Sequence, residues 1–308
     1  MNIERRSIII DTVKDGKLEI PYFDIKGERP GPKLTVLSGV HGCEYTSIAA
    51  VREFVRDLDP SQVSGRIVAV PVVNVPGFWA RSAFVVPVDG KNLNRSFPGD
   101  PQGTFTDVLA HNIFTEFIVG ADYVVDLHAG DLPEALEPFS MYEGSAVESV
   151  SRGMAVAYGA GHIVRQDAAA RTVAGTSCAA AADIGIPGII GESGQNGLLD
   201  RAAIDIHLAG LRNVARSIGV LDGDPWPVRD CQEHQGWCWL RTEHAGWWAP
   251  VVQTGSTVES GELLGTISDV WGGVREEVRA PEAGTVIFVT SSPAVGDDGL
   301  LLGIVLNT

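Results

Sequence analysis

Leu34-Thr35-Val36-Leu37-Ser38-Gly39-Val40-His41-Gly42-Cys43-Glu44 is the stretch on which the reading of the fold turns. Leu34 to Leu37 is an apolar run of the kind that makes a buried strand, and the pattern from Ser47 to about Leu58 predicts a helix. Between strand and helix, glycines at 39 and 42 let the backbone turn sharply without a Cβ clash. His41 and Glu44 stand three residues apart. Their imidazole and carboxylate can therefore converge on one point, whether the segment is a helical turn or a tight loop. Such a pair begins a zinc site without completing it.

The best candidate for a third ligand is His128, which ends the run Ala121-Asp122-Tyr123-Val124-Val125-Asp126-Leu127-His128. The β-branched and aromatic content of that run predicts a buried strand. His41, Glu44 and His128 at one edge of a sheet would make a two-histidine, one-carboxylate site with a position left for water. That is the catalytic type of zinc site, since structural sites are closed by four protein ligands. Asp126, two residues earlier on the strand, faces the same way and is placed to orient a ligand.

Further along, strands and helices alternate, which predicts a mixed, mostly parallel sheet flanked by helices. Strands are expected at 66–74, with Pro71 marking an edge or a bulge, at 162–165 and at 186–192. Helices are expected at 105–119, 145–158, from about 177, and 200–218. Residues 75–103 and 130–138 read as loops, the second of them acidic through Asp131, Glu134 and Glu137. After Gly223-Asp224-Pro225-Trp226-Pro227 no helical period survives. The organisation expected is therefore an α/β catalytic domain over 1–224 and a smaller all-β domain over 225–308. Residues 251–265 resemble half of a lipoyl/biotinyl-like repeat but carry no lysine, so a non-carrier β module is expected.

A net charge of −16 leaves no basic face for nucleic acid. The N-terminal residues lack the apolar stretch of a signal peptide, and no apolar run approaches a bilayer span, so a cytoplasmic protein without membrane contact is expected. Cys43, Cys178, Cys231 and Cys238 have no C-x-x-C spacing and read as ordinary reduced thiols. Of the other histidines, His111 and His207 read as ordinary half-buried helix residues, and His244 as a packed β residue.

His-x-x-Glu at 41–44, then Asn92-Leu93-Asn94-Arg95, then Asp126-Leu127-His128, then Gly191-Glu192, come in the order seen in zinc carboxypeptidase-like enzymes. The chain resembles most the succinylglutamate desuccinylase/aspartoacylase branch, over roughly residues 34 to 197. The resemblance implies one Zn2+ per subunit on His41, Glu44 and His128, with Glu192 as general base. It also implies Arg81 at the acyl oxygen and Asn94 and Arg95 at the carboxylate of a small N-acyl amino acid. The implied reaction is amide hydrolysis by zinc-activated water, Glu192 acting as base and then acid. A homo-oligomer is plausible from the same likeness.

Three departures leave the acyl group and amino acid open. No arginine precedes Glu192 between Ile184 and Gly191; Arg165 and Arg171 stand as substitutes. No tyrosine follows Tyr158, and the acidic loop suits a substrate with a positive group. Two rival readings are a metallocarboxypeptidase acting on short peptides and a non-hydrolytic zinc-dependent binding protein.

Overall fold

The computed structural model describes residues 2–12, 16–228 and 230–306. The first part of the chain runs β1 (Asn2–Thr12), β2 (Gly16–Lys26), β3 (Arg29–Ser38), α1 (Tyr45–Arg56), β4 (Ser64–Val70) and α2 (Val75–Ala80). It continues through α3 (Phe105–Ile113), β5 (Tyr123–His128), β6 (Glu134–Leu136), β7 (Phe139–Gly144) and α4 (Glu148–Tyr158). Next come β8 (His162–Asp167), α5 (Ser177–Asp183), β9 (Gly188–Glu192), α6 (Arg201–Ser217) and β10 (Gln232–His234). The remainder is β: β11 (Trp237–Arg241), β12 (Gly246–Pro250), β13 (Thr257–Val258) and β14 (Leu263–Ser268). β15 (Val274–Arg279), β16 (Gly284–Thr290), β17 (Ala294–Val295) and β18 (Leu300–Leu306) complete it.

The expected mixed, mostly parallel sheet flanked by helices is present. Its strand order is β1-β2-β4-β3-β5-β9-β7-β8-β10. β3 lies between β4 and β5, parallel to both, and β5 is parallel to β9. Strands covered on both faces need apolar residues at successive positions. Leu34, Val36 and Leu37 in β3, and Val124, Val125 and Leu127 in β5, are fully buried accordingly. α6 turns Ile204, Leu208, Leu211 and Val214 into the core that also holds Val51 and Phe54 of α1 and Met154 of α4. α3 and α5 contribute to the core on the opposite face through Leu109, Ile113, Ala180 and Ala181. The carboxyl ends of β3, β5 and β9 consequently emerge side by side, where ligands bind in open α/β sheets.

Beyond β10 the strands form two further sheets, with β11-β18-β16-β13 in one and β15-β14-β12-β17 in the other. Trp248, Leu264, Ile267, Leu302 and Ile304 fill the core these strands share. Among the described residues strand pairing ties this β part to the α/β part at two places. β6 pairs with β16, and β10, which follows the expected boundary at 224/225, still extends the large sheet beside β8.

Several local expectations change. β4 ends at Val70 and is interior, between β2 and β3; Pro71 follows the ladder, where its missing N–H breaks no strand bond. Residues 75–103 hold α2, capped by Asn74 Oδ1 accepting from Gly77 N at 2.8 Å, and a 3-10 turn at Leu93–Arg95. The helix read over 105–119 is α at Phe105–Ile113 and π-helical at Phe114–Ile118. Part of the supposed loop 130–138 is β6, and β7 was not anticipated at all. Among the described residues no helix is long and apolar enough to cross a membrane.

Leu34 sits at the centre of this packing with no exposed surface. Leu34→Ala is expected to cost about 3 kcal/mol through lost burial and a cavity. Urea unfolding checks this; a loss below about 1 kcal/mol would contradict the central placement of β3.

Candidate metal centre and active site

The turn after β3 is shaped by its surroundings. Gly39 has φ +63°, and a Cβ on Gly42 would lie 2.2 Å from the backbone nitrogen of Phe78 in α2. Glu44 occupies the N-cap position of α1 yet makes no side-chain capping bond. Its carboxylate is directed instead at two imidazoles: Oε1 is 2.6 Å from His41 Nδ1, and Oε2 is 3.0 Å from His128 Nδ1. All three residues are buried, and their candidate ligand atoms lie within 4.8 Å of one another. Burial pushes the Glu44 carboxyl up, but the charges of His128 and His41 overcome this and hold it down to about 2.

Each imidazole has a polar side chain behind it. His41 Nε2 lies 3.1 Å from Asn92 Oδ1, which also accepts from Asn94 N at 2.8 Å. His128 Nε2 lies 3.1 Å from Asp126 Oδ2, and the same carboxylate oxygen accepts from the Ser177 hydroxyl at the start of α5. These contacts leave Nδ1 of both rings facing Glu44. Two imidazoles and a carboxylate, each oriented by a second group, form the donor set a divalent cation takes at a catalytic site. Glu44 Oε2 meets His128 Nδ1 as a close contact without hydrogen-bond geometry, which leaves a buried acceptor that a bound cation would satisfy.

Glu192 is brought to the same place by strand register. It is directly opposite His128 in the parallel β5–β9 pair. Burial pushes its carboxyl well above the ordinary range; His128 opposes this, while the like charges of Glu44, Glu134 and Asp126 reinforce it. Its Oε2 is also buried and unpartnered among the described residues. The next residue, Ser193, is clamped: its N–H donates to His128 O at 3.2 Å, and its carbonyl accepts from Thr46 Oγ1 at 2.7 Å. His207 Nε2 donates to that carbonyl at 2.9 Å, and His207 Nδ1 accepts from the Tyr158 hydroxyl at 2.7 Å. The fully buried His207 thus braces the Glu192 strand end, a role that its place on an amphipathic helix did not reveal.

A cavity of about 550 Å³ opens over these groups. His41, Glu44, His128, Glu192, Asn94 and Arg95 all line it; Arg81 does not. Arg81 ends α2 in the left-handed region, at φ 55°, and is exposed. Arg95 sits at the mouth, where desolvation lowers its pKa and the charge of Glu134 works against that. Neither substitute arginine reaches the site. Arg165 pairs with Glu148 at 2.7 Å, and Arg171 with Glu143 at 2.8 Å and with Asp183 at 2.6 Å. The sequence reading missed Asn92 as a lining group and the whole contribution of the β part, including Trp237, Trp239, Arg241 and Phe288. The pairings of β6 with β16 and of β10 with β8 hold the β part at the sheet edge, and no local pattern encodes them.

Of the acidic loop, Asp131 is spent on backbone N–H groups, accepting from Phe84 at 2.7 Å and Leu132 at 2.6 Å. Glu134 alone of its three acids lines the cavity, where burial and then the charge of Glu44 raise its carboxyl to about 7.

Residues 30–218 match the model of the succinylglutamate desuccinylase/aspartoacylase catalytic domain. The chain is also 30% identical over 267 residues to the N-alpha-acetyl-L-2,4-diaminobutyric acid deacetylase of Halomonas elongata, covering 83% of this chain and 75% of that protein. The chain belongs to the succinylglutamate desuccinylase/aspartoacylase family. Solved structures place the whole chain, β part included, within the family's architecture. A succinylglutamate desuccinylase/aspartoacylase from Rhodobacter sphaeroides superposes with a TM-score of 0.86 at 25% identity, covering 99% of this chain and 95% of that one. The product-bound ectoine utilization protein EutE (DoeB) from Ruegeria pomeroyi gives 0.85 at 26% identity, over 99% and 97%.

His207 also makes a pH prediction. Burial depresses its pKa from 6.5 to about 4. The folded state therefore disfavours the proton that the unfolded chain accepts, and stability present above pH ~6.5 is lost as pH falls toward ~4. Between pH 7 and pH 5 this removes about 2 kcal/mol. Urea unfolding at the two pH values should show a smaller drop, by about that amount, in His207→Gln. An equal drop in both proteins would contradict a neutral, bracing His207.

Proposed function

We propose that this protein is a zinc-dependent amidohydrolase that removes the acyl group of a small N-acyl amino acid, with one Zn2+ per chain. The observation that carries the reading is the register of Glu192 with His128, beside the buried His41–Glu44–His128 donor set and on one cavity with Arg95. His41, Glu44 and His128 would hold the ion. Zinc bound there supplies Lewis acidity toward the acyl oxygen and lowers the pKa of water to about 7.

The remaining steps belong to this chain's side chains. Glu192 takes the proton of the attacking water and passes it to the leaving nitrogen. Arg95 offers its guanidinium fork to the substrate carboxylate. Asn94 supports this role, because its carbonyl accepts from Arg95 Nη1 at 2.7 Å while its side-chain oxygen accepts from Ser177 N at 3.3 Å. Asn92 and Asp126 keep the two imidazoles turned toward the ion.

The deacetylase relative from Halomonas elongata acts, by its name, on an N-acetylated amino acid, which supports the substrate class. Strands β11, β16 and β18 contribute to the cavity wall, and a cavity bounded on that side favours small substrates over peptides. Glu192 in register with a candidate metal ligand favours hydrolysis over binding alone.

Metal analysis is expected to give about one zinc per chain, falling to background in His128→Ala. Glu192→Gln is expected to retain zinc and lose on the order of 10³-fold in kcat. Undiminished turnover in that variant, or no hydrolysis of any N-acyl amino acid by the zinc-loaded protein, would refute the reading.

A further inference from the structure

One wall of the cavity has a chemistry that metal binding and proton transfer do not use. In the antiparallel β7–β9 pair Phe139 is opposite Glu192, and Met141 is opposite Ile190, so these side chains share one face of the sheet. The β part adds three rings to Phe139. Trp237 lies 5.7 Å from Phe139 between centroids, Trp239 5.3 Å from Trp237, and Phe288 5.4 Å from Trp239, all edge to face. At the far end the Arg95 guanidinium sits 5.9 Å from the Trp239 ring centre. The aromatic surface therefore runs from the residue opposite the proposed base to the residue proposed to hold the substrate carboxylate.

The polar groups along this wall are few. Arg95 and Arg241 are the two arginines lining the cavity, and Arg241 is engaged with Asp298, donating to its carbonyl at 2.6 Å. Among the described residues only Arg95 stacks against a ring of this wall. Glu134 is the one acid of the 130–138 loop that lines the cavity. The indole nitrogens of Trp237 and Trp239 are buried, and neither has an acceptor among the described residues. A ligand on this wall therefore meets the rings of the indoles and not their nitrogens.

We propose that the Phe139–Trp237–Trp239–Phe288 wall is the specificity subsite, and that it selects N-acyl amino acids carrying an aromatic ring next to the scissile amide. The proposal rests on the deacylase reading above. The ring can belong to the amino-acid side chain or to the acyl group, since both flank the amide.

The test measures kcat/KM of the zinc-loaded, full-length protein. Its aromatic substrates are N-acetyl-L-phenylalanine and N-benzoylglycine, compared with N-acetyl-L-alanine, N-acetyl-L-aspartate and N-alpha-acetyl-L-2,4-diaminobutyrate. At least one aromatic compound should exceed all three others by about tenfold or more, and the faster of the two tells which side of the amide the wall serves. In Trp237→Ala and Trp239→Ala the ratio of the preferred aromatic compound to N-acetylalanine should fall by about tenfold, chiefly through KM. Trp239→Phe, which keeps a ring, should preserve that ratio within about threefold.

Equal or faster hydrolysis of the aspartate or diaminobutyrate compound overturns the aromatic subsite and leaves the deacylase reading standing. An unchanged ratio in both alanine variants does the same. If none of the five compounds is hydrolysed, the deacylase reading falls. The wall is then judged by quenching of tryptophan fluorescence, where N-benzoylglycine and N-acetylphenylalanine binding no tighter than N-acetylaspartate overturns it.

Discussion

The structure depends on one buried carboxylate shared between two imidazoles. Glu44 is 2% exposed and reaches His41 at 2.6 Å and His128 at 3.0 Å. Burying an ionised group is costly unless charge and hydrogen bonds are arranged to meet it. Here the arrangement extends outward: Asn92 behind one ring, Asp126 and Ser177 behind the other, and Thr46 and His207 around the adjoining Ser193. The strand ends of β3, β5 and β9 are where these demands meet.

That arrangement also explains the placement of Glu192. The role proposed for Glu192 requires a carboxylate beside the candidate metal ligands that is not itself one of them. Parallel register with His128 gives it a neighbouring position at the same sheet edge, and the clamp on Ser193 keeps the strand from drifting. The functional geometry is thus a property of the backbone ladder, with side chains adding orientation.

The β part completes the site rather than merely following it. β6, embedded in the α/β part of the sequence, pairs with β16, and this carries Trp237, Trp239 and Phe288 over the opening. The aromatic rings on that side and the candidate metal-ligand set on the other share one cavity. A chain with the same α/β core and a different β part would present the same donor set to a different substrate.

Much of this was written locally. The apolar run 34–37, the glycine-bracketed His41 and Glu44, the strand ending at His128 and the strand ending at Glu192 follow from period, residue type and spacing, because each depends on neighbours close in sequence. The β content after residue 224 was legible for the same reason. Tertiary structure alone decided the rest. Pro71 proved to lie beyond an interior strand, and β6 and β7 arose where the chain looked like loop, because their partners lie in other parts of the chain. Arg81 ended a helix away from the cavity, Arg165 and Arg171 were taken by nearby acids, and the tryptophans of β11 came to face the centre. Sequence specifies which residues can do the chemistry; contacts between distant segments choose which of them meet, since no local propensity encodes a partner more than a hundred residues away.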